Sequence, residues 1–251
     1  MQEMPATATH ERPAAPAPPG GVRDGSGTLD DPRFLQVLTT EHWSLLTSRS
    51  LAYNEAFTRT GMFLTFLSMS FVGLALVGPP LSFSRDFLVI AVVVLVFDFL
   101  IGLLTFLRVG GCNVEDLRAM HGMNRIRHGY VTVVPPAAPY FVSGTYDDAA
   151  SVTANYNPSG RSSLGGDLVY GLSTSLGMVG LIVALVGGVL SAVITLLVGG
   201  PWPLPLLVGA VAAVLVIGAC IAYAFRGAAQ AQSDLPVAFP REPDTRQGQQ
   251  S

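Results

Sequence analysis

One stretch limits the folds open to this chain more than any other. Phe87–Leu107 is an apolar run interrupted near its middle by a single carboxylate, Asp98. Crossing a bilayer takes about 20 predominantly apolar residues, and this run supplies them before handing the chain to an Arg/His-rich segment, residues 108–130. Three more apolar runs accompany it. Gly61–Gly78 has only Thr65, Ser68 and Ser70 as polar side chains and lies near the lower limit for crossing. Leu168–Gly199 is longer than a hydrocarbon core of ~30 Å requires, so it is expected to tilt or protrude. Leu204–Phe225 ends at Arg226.

The links between these runs, residues 79–86 and Gly199-Gly200-Pro201-Trp202-Pro203, are short enough to force tight hairpins. Trp202 is expected at headgroup depth. The fold class that follows is all-α: a polytopic membrane protein with four transmembrane helices arranged as two hairpins, 61–107 and 166–225, above a cytoplasmic helical layer. Composition agrees. Half of the 251 residues are apolar and 12% are charged, against about 25% charged in a soluble domain. A net charge of -3, with no basic cluster interleaved with aromatics, argues against nucleic acid as a partner.

Residues 1–28 are rich in Pro, Ala and Gly, and read as a disordered tail. The opening sixty residues contain no apolar h-region, so they do not read as a cleaved export signal. Asp31 before Pro32 is a helix-start signal, an N-cap followed by Pro in the first turn. The 29–60 segment is expected to be an amphipathic cytoplasmic helix that can run on into the first span. Phe34, Leu38, Leu45, Ala52 and Ala56 share its apolar stripe with His42, Arg49 and Arg59. Beyond Leu107, Gly110-Gly111 is expected to loosen the chain. Asn113-Val114-Glu115-Asp116 is expected to start a new helix to about Tyr130 within a cytoplasmic helix-and-loop segment, 108–165. Residues 226–251 read as a disordered cytoplasmic tail.

Orientation follows from the basic residues, all fourteen of which are Arg. With four spans, every Arg except Arg85 falls on the side of both termini. The expected placement is therefore a multi-pass plasma-membrane protein with both termini cytoplasmic.

Few residues offer chemistry. Asp98 lies roughly 16 Å from the start of its run at 1.5 Å per residue, where a charge costs ~2.5–3.5 kcal/mol. It is expected to be neutral and hydrogen-bonded to a hydroxyl of a neighbouring helix: Thr65, Ser68 or Ser70 from the first span, or Ser191 from the third. It either handles protons or cations or clamps helix packing. A transport path usually needs several intramembrane polar groups, which favours the clamp.

Arg118, His121, Arg125 and His128 recur at i, i+3, i+7 and i+10. They are either a surface for anionic lipid, phosphate or an acidic partner, or the positive flank that orients the second span. Arg49 is expected to pair with Glu115 or Asp116 of the next cytoplasmic helix. Gly180, Ala184, Gly188 and Ala192 recur every four residues, the small-xxx-small pattern that allows close helix approach. His42, His121 and His128 lack metal-ligand spacing, and Cys112 and Cys220 lie far apart, so neither a metal nor another cofactor is expected.

Three blocks carry a family likeness: Glu41-His42-Trp43-Ser44-Leu45-Leu46, residues 49–57 from Arg49 to Phe57, and Gly122-Met123-Asn124-Arg125-Ile126-Arg127-His128. They resemble a set of bacterial, largely actinobacterial, multi-pass membrane proteins over about residues 30–145. The order of cytoplasmic helix, two-span hairpin and cytoplasmic helix is also similar in layout to the two-span SLATT-type effectors of bacterial conflict systems. The second hairpin, after residue 168, departs from that layout. The function expected is non-enzymatic: a scaffold or anchor in the lipid bilayer that self-associates through its spans and presents its cytoplasmic helices to a protein partner or anionic lipid. The alternative is a small proton- or ion-conducting module, or oligomeric effector pore, using Asp98.

Overall fold

The computed structural model describes residues 31–156, 171 and 173–241. Among the described residues the chain is helical with no strand, and four helices are long and apolar enough to cross a membrane. The chain is an all-α polytopic fold. The expected tails over 1–28 and 242–251, and the expected start of the third span at 168–170, lie outside the described residues.

The first helix, α1, runs from Pro32 to Val77. Asp31 caps it, its carboxylate accepting from the Arg33 amide at 2.9 Å. The helix passes Gly61 without a break, so the 29–60 helix and the first span are one element. Inside a bilayer no water is available to replace a lost backbone bond, which favours an unbroken ladder. The chain turns at residues 78–84, where the Phe83 ring covers Gly78 so closely that a Cβ there would sit 2.6 Å from Cε1.

The second helix, α2, is continuous from Arg85 to Val133. This corrects the expected break at Gly110-Gly111 and the new start at Asn113. The buried positions Asp98, Gly102, Thr105, Val109, Cys112 and Asp116 keep steps of three and four straight through the glycine pair, so one packed stripe holds the helix together. Gly110 serves approach rather than flexibility: a Cβ there would lie 3.0 Å from the Tyr223 ring. Pro135, Pro136 and Pro139 then form a 3-10 turn, Pro135–Tyr140. A short helix, α3 (Ala149–Ala154), follows, with Asp148 accepting from the Ser151 amide.

Helix α4 (Ser175–Leu197) is capped by Thr174, and α5 runs from Leu204 to Ser233. The third span is therefore shorter than expected: 23 residues, or ~35 Å, which fits a bilayer without a forced tilt. The fourth is longer. It passes Arg226 by two turns, and residues 234–241 pack against the rest of the chain rather than forming the expected disordered tail.

Helix α2 is the centre of the assembly. It packs along α1 on one side and α4 on the other and also meets α5, while α1 and α4 barely touch. Lipid is as apolar as leucine, so burial alone does not hold such helices together and close packing must. Gly102 marks the point where three helices converge, since a Cβ there would meet Phe63 at 2.8 Å and Val183 at 2.9 Å. Gly188 of α4 and Gly209 of α5 bring two backbones into contact: a Cβ on either would stand 2.8 Å from the other's carbonyl oxygen. Residues 31–60, 108–156 and 226–241 gather at one end of the bundle, termed below the terminal side.

Candidate functional site

The intramembrane carboxyl comes first. Asp98 is 1% exposed, and its Oδ1 accepts from the Ser70 hydroxyl of α1 at 2.9 Å. Ser70 follows the buried Phe63 and Leu67 at helical spacing on the face that meets α2. The other expected hydroxyls do not reach Asp98. Thr65, Ser68 and Ser191 donate to carbonyls of their own helices, at Gly61 (2.9 Å), Leu64 (2.8 Å) and Gly187 (2.8 Å). A hydroxyl on an intramembrane helix is satisfied in this way when it points away from a partner. The second oxygen of Asp98, Oδ2, is buried with no hydrogen-bond partner among the described residues. A crevice of about 450 Å³ lies between α1 and α2 beside this pair, with Ser70 the one polar residue in an otherwise apolar lining.

Ion pairs brace α1 against α2 just outside the span. Arg49 meets Asp116, not Glu115, at 2.5 Å. Asp116 also accepts from the hydroxyls of Tyr156 (2.6 Å) and Tyr53 (3.2 Å). Glu115 instead faces Arg108 at 3.4 Å. Arg108 grips Glu55 with two bonds, at 2.8 and 2.7 Å, and Arg59 adds a third at 2.9 Å. Arg108, then Arg59, pull the Glu55 carboxyl down to about 2. Burial, then the Asp116 carboxylate, push the Tyr156 phenol up.

The Arg/His stripe of α2 faces the chain's own loop and tail. His121 is buried, with Nδ1 3.1 Å from the Asp147 carbonyl oxygen and Nε2 unpartnered among the described residues. Arg125 reaches the Asp147 carboxylate at 2.7 Å and the Pro236 carbonyl. His128 stacks on Phe239, with ring centroids 4.3 Å apart. Arg118 pairs with Asp234 at 3.1 Å on the surface. The expectation of a face open to lipid or a partner is therefore corrected: loop 141–156 and residues 234–239 occupy most of it.

Asp147, fully buried, is the keystone. Beyond Arg125, it accepts from the amides of Ala238 (2.9 Å) and Phe239 (2.8 Å). Burial pushes its carboxyl up, but those amides and Arg125 pull harder, and the net direction is down. Asn124, also fully buried, ties the loop down by donating to the Tyr146 carbonyl at 2.8 Å and accepting from Asn155 at 3.2 Å.

Sequence reasoning missed Asp147, Asn124, Tyr156 and Phe239. Two signals were there to find: the Asp148-x-x-Ser151 cap inside a segment taken as loop, and the apolar Val237 and Phe239 inside a segment taken as tail. His42, His121 and His128 do not converge, and among the described residues no group of His, Cys, Asp or Glu is placed to hold a metal. The stripe Gly180, Ala184, Gly188 and Ala192 is used inside the chain. Gly180 receives Phe106 and Cys220, Gly188 meets Gly209 and Ala213, and Ala192 lies against Gly209. Compared with protein-family models, curated proteins and solved structures, the chain finds no match in any of the three.

Proposed function

We propose that this protein is a non-enzymatic scaffold of the plasma membrane, with both termini in the cytoplasm. Its rigid helical platform would be presented to a protein partner. The supporting observation is the continuity of α1 and α2, 46 and 49 residues long, across the membrane boundary. Cross-braces Arg49–Asp116 and Arg108–Glu55 stand beside that boundary. Such a hairpin carries the position of its spans into the water with no hinge between. The orientation rests on the Arg distribution, and the likeness to bacterial multi-pass proteins is compatible with it. Because the Arg118–His128 stripe is largely occupied by the chain itself, anionic lipid recognition there is set aside.

One observation favours a second reading, proton or ion conduction: the unpartnered Oδ2 of the buried Asp98. Reconstitution into liposomes with a pH- or potential-sensitive dye separates the two. The scaffold reading expects wild type and Asp98→Asn to match empty liposomes. Flux by the wild type that Asp98→Asn abolishes, with assembly intact, would overturn it.

A further inference from the structure

We infer that the outward face of α1 is where a second copy of this chain docks, the two α1 helices lying parallel. The first argument is charge. Residues 42–58 hold only two charged side chains, Arg49 and Glu55, and both turn toward α2. The large side chains left exposed are Trp43 (62%), Leu46 (38%), Leu51 (64%), Tyr53 (51%) and Phe57 (78%), separated by serines and threonine; the Tyr53 ring lies at the edge of this face, its hydroxyl turned to Asp116 of α2. A helix surface meant for water carries charges on about a quarter to a third of its residues, whereas this one presents aromatic rings. Exposed apolar patches of this kind mark interaction sites.

The second argument is position. Helix α1 is one continuous rod, and the first span begins at Gly61. At 1.5 Å per residue Trp43 lies ~27 Å beyond that point, out of reach of the bilayer. Lipid therefore does not cover Trp43 or Leu46, while Tyr53 and Phe57, ~12 Å and ~6 Å from the same point, stand at the edge of the headgroup layer.

The third argument is period. Trp43, Ser50 and Phe57 recur every seven residues, and Leu46 and Tyr53 stand three beyond the first two. The first series has the seven-residue spacing of a left-handed pair of helices, while the second turns onto α2 beyond Tyr53, at the buried Thr60 and Leu67. The first series continues through Leu64 and Phe71 inside the span, and Gly61 beside it has nothing within 4 Å. A soluble protein can follow this face only as far as the membrane. An occupant that follows it into the bilayer needs a helix running through both phases, which a second α1 supplies. Copies inserted in one orientation place their α1 helices parallel, so each position of the repeat meets itself.

This deepens the scaffold reading by naming its partner, and rests on that reading for the placement of residues 32–60 in water. The test uses the full chain in its native membrane. Ser50→Cys lies on the repeat, whereas Ser48→Cys, two residues away, projects from the opposite side. Wild type, whose Cys112 and Cys220 are buried, sets the background. On oxidation with copper phenanthroline, Ser50→Cys is expected to give several-fold more covalent dimer than Ser48→Cys. Adding Phe57→Glu, a change at an exposed side chain, is expected to suppress it. Cross-linking of Ser50→Cys no stronger than that of Ser48→Cys overturns the inference, whether residues 1–30 or a different protein covers the face. Liposome flux abolished by Asp98→Asn would sink the scaffold reading while leaving this cross-link unchanged, so the two failures are distinguishable.

Discussion

The Arg125 guanidinium and the Asp147 carboxylate meet at 2.7 Å, the carboxylate fully buried and the arginine partly open to solvent. This contact joins three parts of the chain distant in sequence: α2, the loop after the 3-10 turn, and the segment following α5. The same carboxylate takes the amides of Ala238 and Phe239, so one side chain organises the terminal side.

Asp147→Ala leaves the Nε of Arg125 and two amides without their acceptor, Arg125 keeping the Pro236 carbonyl. Removing one member of a buried charged pair is strongly destabilising, and with Arg125 partly hydrated a loss of about 2–3 kcal/mol is expected. The transmembrane helices should persist while residues 234–241 come away. Limited proteolysis would then show new cleavage near Arg241 at unchanged far-UV helicity. Wild-type protection in the variant would refute the keystone role.

Acid should release the same segment. The Asp147 carboxyl is held below its ordinary value of 3.8. A carboxyl depressed in the folded state adds stability that is fully present above the unfolded value and lost as pH falls through the folded one. Docking is therefore expected to be complete at neutral pH, to begin weakening as pH falls below about 4, and to be lost only at lower pH as the folded-state carboxyl protonates. Glu55, held at about 2, follows the same sign, although its exposed setting screens the effect. A spin label at Val237, half exposed, should be restrained at pH 7 and mobile near pH 2. Mobility unchanged over that range would contradict the account.

Ser70→Ala removes the hydroxyl that Asp98 accepts from. Interhelical hydrogen bonds within membranes average about 0.6 kcal/mol and reach about 1.7, so a loss of roughly 1 kcal/mol is expected. Thr65→Ala and Ser68→Ala, whose hydroxyls turn back on α1, should cost less. Reversible unfolding in mixed detergent micelles gives the comparison. Equal effects at all three positions would deny the Ser70–Asp98 bond any special part in packing.

Glycine substitutions offer a matched pair. Gly188→Ala drives a Cβ to 2.8 Å from the Gly209 carbonyl oxygen, whereas Gly73 has nothing within 4 Å. Overpacking should cost the first variant about 1–3 kcal/mol, and Gly73→Ala should stay within about 1 kcal/mol of wild type. Thermal unfolding in detergent decides. A tolerated Gly188→Ala would mean that α4 and α5 separate without penalty.

The membrane architecture could be read from the sequence because apolar length is a local property: a run such as Phe87–Leu107 needs no knowledge of its neighbours to declare itself. The Arg49–Asp116 pair was within reach too, since an antiparallel hairpin brings a short list of charges level. What escaped was decided by packing at a distance. Gly110 resembles a breaker until Tyr223 arrives against it. Ser70, Thr65 and Ser68 are equivalent until helical phase is fixed by Phe63 and Leu67. The Arg/His stripe resembles a lipid surface because its true neighbours, Asp147 and Phe239, lie far away in the sequence, in stretches where one cap and two isolated apolar residues, Val237 and Phe239, are the sole local hints of packing.

The unbroken ladder of α1 makes the protein a lever. Packing against α2 sets the lean of α1 and a mismatch with bilayer thickness shifts it, and with no joint at Gly61 any such shift is inherited by everything beyond it. From Gly61 to Pro32 the arm measures ~43 Å, so a lean of about 10° sweeps its tip through ~8 Å. A change too slight to register among the lipids would be magnified into a displacement as large as the width of a neighbouring helix.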